Sequence, residues 1–239
     1  MFKIFFATAM TVSMMISGQA RAQNDNTPVL MEIPIQAVHV PNGFDSNDNV
    51  QIVFESYLPN PCYKVGPHKV QVDKVNRIVK LEQQVYRYPG MICPQVIVPF
   101  ATVVDVGLLA ANTYDIQDAT SGQTLGRMGV RQSNNLGPDD YFYAPVADAR
   151  YDLTKRTVTL EGVFTNSCLS FADVKVYLDP KDVVVVLPIL KPWQSSPACK
   201  AGKFPFSVTA KLPAMTAGRY LLHVRSMNGR SINKIFDIY

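Results

Sequence analysis

The sequence predicts an all-β chain built from two tandem β-sandwich domains, each closed by one internal disulfide. Three observations carry that expectation. Cys62 and Cys93 are 31 residues apart, and Cys168 and Cys199 repeat that interval 106 positions later. Short alternating or continuous apolar runs bounded by Pro, Gly and Asn recur through the chain, and helical periodicity is hard to find. The first 22 residues have the order of an export signal, which places the cysteines where bridges form.

In chain order, Met1 to Ala22 comes first. Lys3 precedes an apolar run from Ile4 to Ile16, and Ser17-Gly18-Gln19 leads into the small-residue site Ala20-Arg21-Ala22. This predicts a secretory signal peptide over 1–22, cleaved after Ala22, and a periplasmic or secreted protein. The run is shorter than the roughly 20 residues a spanning helix needs. No later stretch is a membrane candidate, since the most apolar one, Val183 to Leu190, is short and contains Pro188.

Residues 23–33 are read as an N-terminal extension. Residues 34–131 form the first domain, 132–140 a linker of turn-forming composition ending in Asp139-Asp140, and 141–239 the second domain. In the first domain the runs predict strands at Ile35–Val40, Val50–Leu58, Lys69–Val75, Arg77–Tyr86, Gln95–Val106, Thr113–Ala119 and Gln123–Arg131. The second repeats them at Tyr143–Tyr151, Thr157–Phe164, Asp173–Leu178, Val183–Leu190, Phe204–Leu212, Arg219–Ser226 and Ser231–Ile238. Seven strands in about 100 residues cannot all lie flat in one sheet, so each domain should fold as two packed sheets. Asn228-Gly229, and Ser121-Gly122 in the first domain, tolerate positive φ and should make tight turns.

Duplication is written in more than the cysteines. At the same offset Glu55 aligns with Glu161, Asn60 with Asn166, Asp73 with Asp179, Pro99 with Pro205, Phe100 with Phe206 and Tyr114 with Tyr220. In an exported repeat, each unit should hold its own bridge, Cys62 with Cys93 and Cys168 with Cys199. A four-cysteine zinc site would need ligands in close pairs, and this spacing argues against it.

Leu109 to Tyr114 and Met215 to Tyr220 each place a large apolar residue five positions before a tyrosine, and Asn112 or Gly218 two before it. This resembles the tyrosine corner of immunoglobulin-like and fibronectin type III-like sandwiches, and the domains look like the tandem repeats of that kind in secreted bacterial proteins. The resemblance implies a fold and raises binding, adhesion or assembly roles, but it carries no active site. The cysteine spacing and the loop position of Trp193 depart from true immunoglobulin domains, whose tryptophan packs on the bridge.

Composition sets the remaining limits. With 239 residues, 47% apolar and 18% charged, and a mean hydropathy of +0.03, the chain is a folded one. Lys3 and Arg21 belong to the leader, which holds no acid, so 21 basic residues then face 19 acidic ones. Near-neutrality gives little reason to expect nucleic acid or an anionic surface as partner. His39, His68 and His223 each stand alone, and His223 reads as a sheet-face residue. No nucleophile elbow, zinc helix or phosphate loop is present. Asp139, Asp140, Asp148 and Asp152 mark the one credible place for a metal, a calcium site at the domain junction, but they lack the alternating oxygen pattern of a calcium loop and read first as turn formers of a solvated linker.

The loops before the second cysteine of each domain are the candidate binding segments. Both are aromatic, basic, proline-containing and tied by a bridge, and aromatic and arginine side chains are what interface hot spots favour. Tyr86, Arg87 and Tyr88 in the first loop and Lys191 and Trp193 in the second are the candidate residues. Their alternative role is to shield the bridges. The expected function is non-enzymatic binding of a protein or other cell-envelope macromolecule, without cofactor. A chaperone-like or surface-fibre assembly component and a secreted protease inhibitor are the alternatives, the latter requiring both loops at one end.

Overall fold

The computed structural model describes residues 27–134, 142–192 and 197–239. The leader at 1–22, Asp139 and Asp140 with most of the expected linker, and Trp193 lie outside the described residues.

The first sandwich contains β1 (Val29–Ile33), β2 (Ala37–His39), β3 (Val50–Leu58), β4 (Tyr63–Asp73), β5 (Ile78–Arg87), β6 (Val98–Gly107), β7 (Asn112–Asp118) and β8 (Thr124–Val130). Sheet β2-β3-β6 faces a larger sheet in which β5 is flanked by β4 on one edge. Along its other edge lie β7, paired with Ile78–Leu81, and β1, paired with Gln83–Arg87. Ile52, Phe54 and Val104 from one sheet meet Val79, Leu81, Ile116 and Met128 from the other, all fully buried.

The second sandwich contains β9 (Val146–Asp152), β10 (Thr157–Asn166), β11 (Phe171–Leu178), β12 (Val183–Leu190), β13 (Ala201–Lys211), β14 (Gly218–Ser226) and β15 (Arg230–Ile238). Sheet β9-β10-β13 packs on β11-β12-β14-β15. Both sandwiches place a parallel pair, β5 with β7 and β12 with β14, inside the larger sheet. Parallel neighbours need a crossover, and here the intervening strand of the facing sheet, β6 or β13, supplies it.

The identities spaced 106 apart acquire local roles. Asn60 and Asn166 each accept the amide of the first cysteine, at 2.9 and 2.8 Å. Asp73 and Asp179 each cap the turn into the next strand by accepting two backbone amides. Those turns end at Arg77 and Asp182, both with φ of 59°. The bridges form as Cys62–Cys93 and Cys168–Cys199, with Cα atoms 5.9 and 5.4 Å apart.

Tyr114 and Tyr220 each donate to the carbonyl four residues earlier, Ala110 and Thr216, at 3.0 Å. Neither Asn112 nor Gly218 uses a positive φ, whereas Asn228 and Gly229 do, at 63° and 67°. Removing either hydroxyl by Tyr114→Phe or Tyr220→Phe should cost about 1 kcal/mol. An unchanged urea midpoint in both variants would show that the corners contribute nothing.

Several boundaries differ from the pattern-based ones. Val29–Ile33, placed in the extension, pairs antiparallel with β5. Pro28 and Pro34 bracket that short run, and the edge of β5 left open beyond β7 pairs it as a strand. β4 begins at Tyr63 rather than Lys69 because Gly66 and Pro67 sit in a bulge between Val65 and His68. An edge strand tolerates proline, which has no amide to donate. At Gly66 a Cβ would lie 2.8 Å from the Gln84 carbonyl oxygen, so glycine is required by the close approach. Tyr143 makes only an isolated bridge with Ile189, and β9 starts at Val146.

Candidate functional site

Loop 88–97 leaves β5 beside the first bridge. The Tyr88 amide donates to the Cys62 carbonyl at 3.0 Å, and Gly90 turns the chain with φ of 76°. Tyr88 is half-buried, with the Lys64 ammonium 5.1 Å from its ring centroid, so this ring folds back toward the bridge. Tyr86 and Arg87 at the end of β5 are exposed. Lys64 and Leu30 pair with Tyr86 on either side, putting a cation, an aromatic ring and an apolar side chain in one outward row. Met91, Ile92, Val96 and Ile97 project from the loop at 61, 103, 56 and 66% exposure.

In the second sandwich Lys191 follows β12, exposed, its amide donating to the Ser170 carbonyl at 3.0 Å. Asp48, just before β3, meets Arg225 near the end of β14, and Glu55 on β3 meets Arg219 near its start. Thus β3 runs opposite to β14 across the contact. β3 leads into Cys62, whereas β12, parallel to β14, leads into Lys191. The candidate residues therefore separate into two groups at opposite ends, Tyr86, Arg87 and Tyr88 at one and Lys191 at the other. That arrangement does not provide the shared tip an inhibitor reading requires.

The sequence reading missed the contact between the sandwiches. The outer face of β3 packs through Val53 on Val183, Val185 and Leu221. Around this apolar centre lie two charged groups of very different burial.

At one side the Arg225 guanidinium, 4% exposed, reaches Asp48, 0% exposed, at 2.9 Å. It lies 4.9 Å from the Phe44 ring centroid and 5.1 Å from that of Tyr143. At the other side Arg219 donates to both Glu55 oxygens and to Asp237, while His39 meets Glu55 at 2.7 Å. Burial alone would raise the Glu55 pKa, but hydrogen bonds from Arg219 and His39 outweigh it and hold the carboxyl below its usual range. A signal existed: Val183–Val186 form a continuous apolar run, which marks a strand covered on both faces.

His223 lies on that same covered face of β14. Its Nδ1 is 2.7 Å from the Asn233 side-chain oxygen, and its Nε2 has no partner. With Nδ1 donating to Asn233, the ring is neutral. Burial pushes its pKa down to about 4, Arg225 lowers it further, and Asn233 partly opposes them. Because the folded pKa lies below the unfolded one, folding loses stability as pH falls from about 6.5 toward 4, on the order of 3 kcal/mol. The expected result is that His223→Gln flattens the stability profile in this window. An unchanged slope between variant and parent would refute the assignment.

Among the described residues no group of three or more His, Cys, Asp or Glu side chains could hold a metal ion. Asp148 is paired with Lys234 at 3.0 Å, and Asp152 with Lys155 at 3.3 Å. No described helix is long and apolar enough to cross a membrane. An open cleft beside the contact between the sandwiches is lined by Asn42, Asn112, Arg131 and Tyr177.

A family model described as the ORF11 beta-sandwich domain matches residues 52–118, from within β3 to the end of β7. The match supports a β-sandwich over that segment. No curated protein and no solved structure matches the chain significantly.

Proposed function

We propose that this chain is an exported, non-enzymatic binding protein whose two sandwiches dock into one body and present loop 88–97 to another component of the cell envelope. The observation that carries the reading is the loop itself, tied by Cys62–Cys93 yet projecting four apolar side chains into solvent. A globular protein does not leave such a cluster uncovered without a use for it. Closure by the bridge limits the ordering cost on binding.

Export rests on the leader, and the secreted or periplasmic protein should begin at Gln23 when its N-terminus is sequenced. The test of binding is capture from an envelope fraction with oxidised protein spanning 23–239. Arg87→Ala and Tyr88→Ala together should lose the captured component, while Lys191→Ala at the other end should keep it. Equal capture by all three proteins would remove the loop from the function. The chaperone-like reading draws on the cleft lined by Arg131 and Tyr177, and loss of capture on Arg131→Ala alone would favour it.

A further inference from the structure

Ten of the eighteen exposed large apolar or aromatic side chains of the described residues lie at or beside the loop end of the first sandwich. Four belong to the loop. Val29 and Met31 of β1 add to them, at 52 and 39% exposure, although their partners Arg87 and Val85 show that they point to the inner side of the sheet. Thus the sandwich is left open at this end, and its apolar inner lining emerges there.

We infer that this end is a docking surface for an anionic lipid bilayer, an assignment that rests on loop 88–97 being the binding surface and names what it binds. Three features select lipid. The apolar groups project as a convex tip, with Ile92 at 103% exposure, rather than lining a groove into which a partner side chain would fit. Tyr57, opposite Pro99, and Tyr86 are exposed where the strands enter and leave the loop, and such amphipathic rings suit a headgroup layer. Lys64 and Arg87 stand beside them, and no acid occurs from Gln83 to Val104, so this end is locally basic although the near-neutral charge of the whole chain gives no reason to expect an anionic partner. The Glu32 carboxylate is set back along β1 opposite Gln84 and accepts from Thr120.

Apolar insertion and basic attraction to anionic headgroups act together in interfacial binding, and neither alone gives stable attachment.

The experiment is flotation of oxidised 23–239 protein with vesicles of phosphatidylcholine containing phosphatidylglycerol, beside pure phosphatidylcholine vesicles. Binding to the anionic vesicles is expected, weakening as salt is raised. Ile92→Glu with Ile97→Glu should lower it about tenfold or more. Lys64→Gln and Arg87→Gln should each lower it about fivefold. Val75→Glu, at an 89% exposed turn at the far end of β5, should float like the parent. All five positions are exposed, and unchanged thermal midpoints will verify folding.

No flotation of the parent overturns the lipid assignment, as does flotation unaffected by the isoleucine pair. If flotation fails while envelope capture is lost in the isoleucine variant, the loop binds a protein and only the lipid partner is wrong. If that variant alters neither measurement, the loop reading itself fails. Self-association abolished by the same variant, without vesicle binding, would assign the face to a second copy instead.

Discussion

Arg225→Ala should destabilise the protein by about 3–5 kcal/mol, the largest effect expected of any single side chain outside the bridges. The cost comes less from the lost attraction than from what stays behind. Asp48 is 0% exposed, and its Oδ2 then keeps only the Asp45 amide at 2.9 Å, while its Oδ1 has no partner. A carboxylate stripped of its counter-ion in that position must be buried charged or take up a proton. Phe44 and Tyr143 also lose the cation between them, and a cavity opens in the contact.

Replacing both partners distinguishes this account from simple loss of packing. Arg225→Met with Asp48→Asn should recover most of the stability, because no charge is left uncompensated. Urea unfolding of the parent and both variants is the measurement. A loss of less than about 1 kcal/mol for Arg225→Ala would mean that the pair is solvated and does not hold the sandwiches together.

The second large effect concerns the bridges. Cys62→Ala and Cys168→Ala should each cost about 2–5 kcal/mol, since each bridge closes a 31-residue interval in the unfolded chain. Their functional consequences should differ. Cys62 holds loop 88–97, so its loss frees Met91, Ile92, Val96 and Ile97 from a fixed arrangement, and binding should weaken with stability. Cys168 lies at the opposite end, so its loss should lower stability and leave binding by the folded fraction intact. Equal stability with and without reductant would show that the bridges do not constrain the unfolded chain, and equal loss of binding in both variants would contradict the separation of the two ends.

The candidate site was partly legible before folding. Tyr86, Arg87 and Tyr88 stand out by side-chain type and a nearby bridge, and the structure places them at the apolar end. Yet Tyr88 turns back toward the bridge and Lys64, and the outermost side chains are Met91, Ile92, Val96 and Ile97. Apolar residues in a loop carry no local mark of exposure, because sequence records their type and not whether another strand covers them. Val29 and Met31 entered the same patch only through pairing of β1 with β5, a contact made more than fifty residues away.

By itself the sequence determined most of the strands, the duplication, both bridges and the two tyrosine corners. These rest on local periodicity, on turn residues and on a repeat that states each pairing twice. Tertiary structure alone decided that Arg225 and Asp48 form a buried pair, that His223 is shut from water, and that Lys191 lies at the end opposite Tyr86, Arg87 and Tyr88. Alternation along Arg219-Tyr220-Leu221-Leu222-His223-Val224-Arg225 identifies two faces of β14 but not what lies against the second. A charged residue on such a face reads as solvated until another sheet removes the water. Here β3, from the other half of the chain, does so.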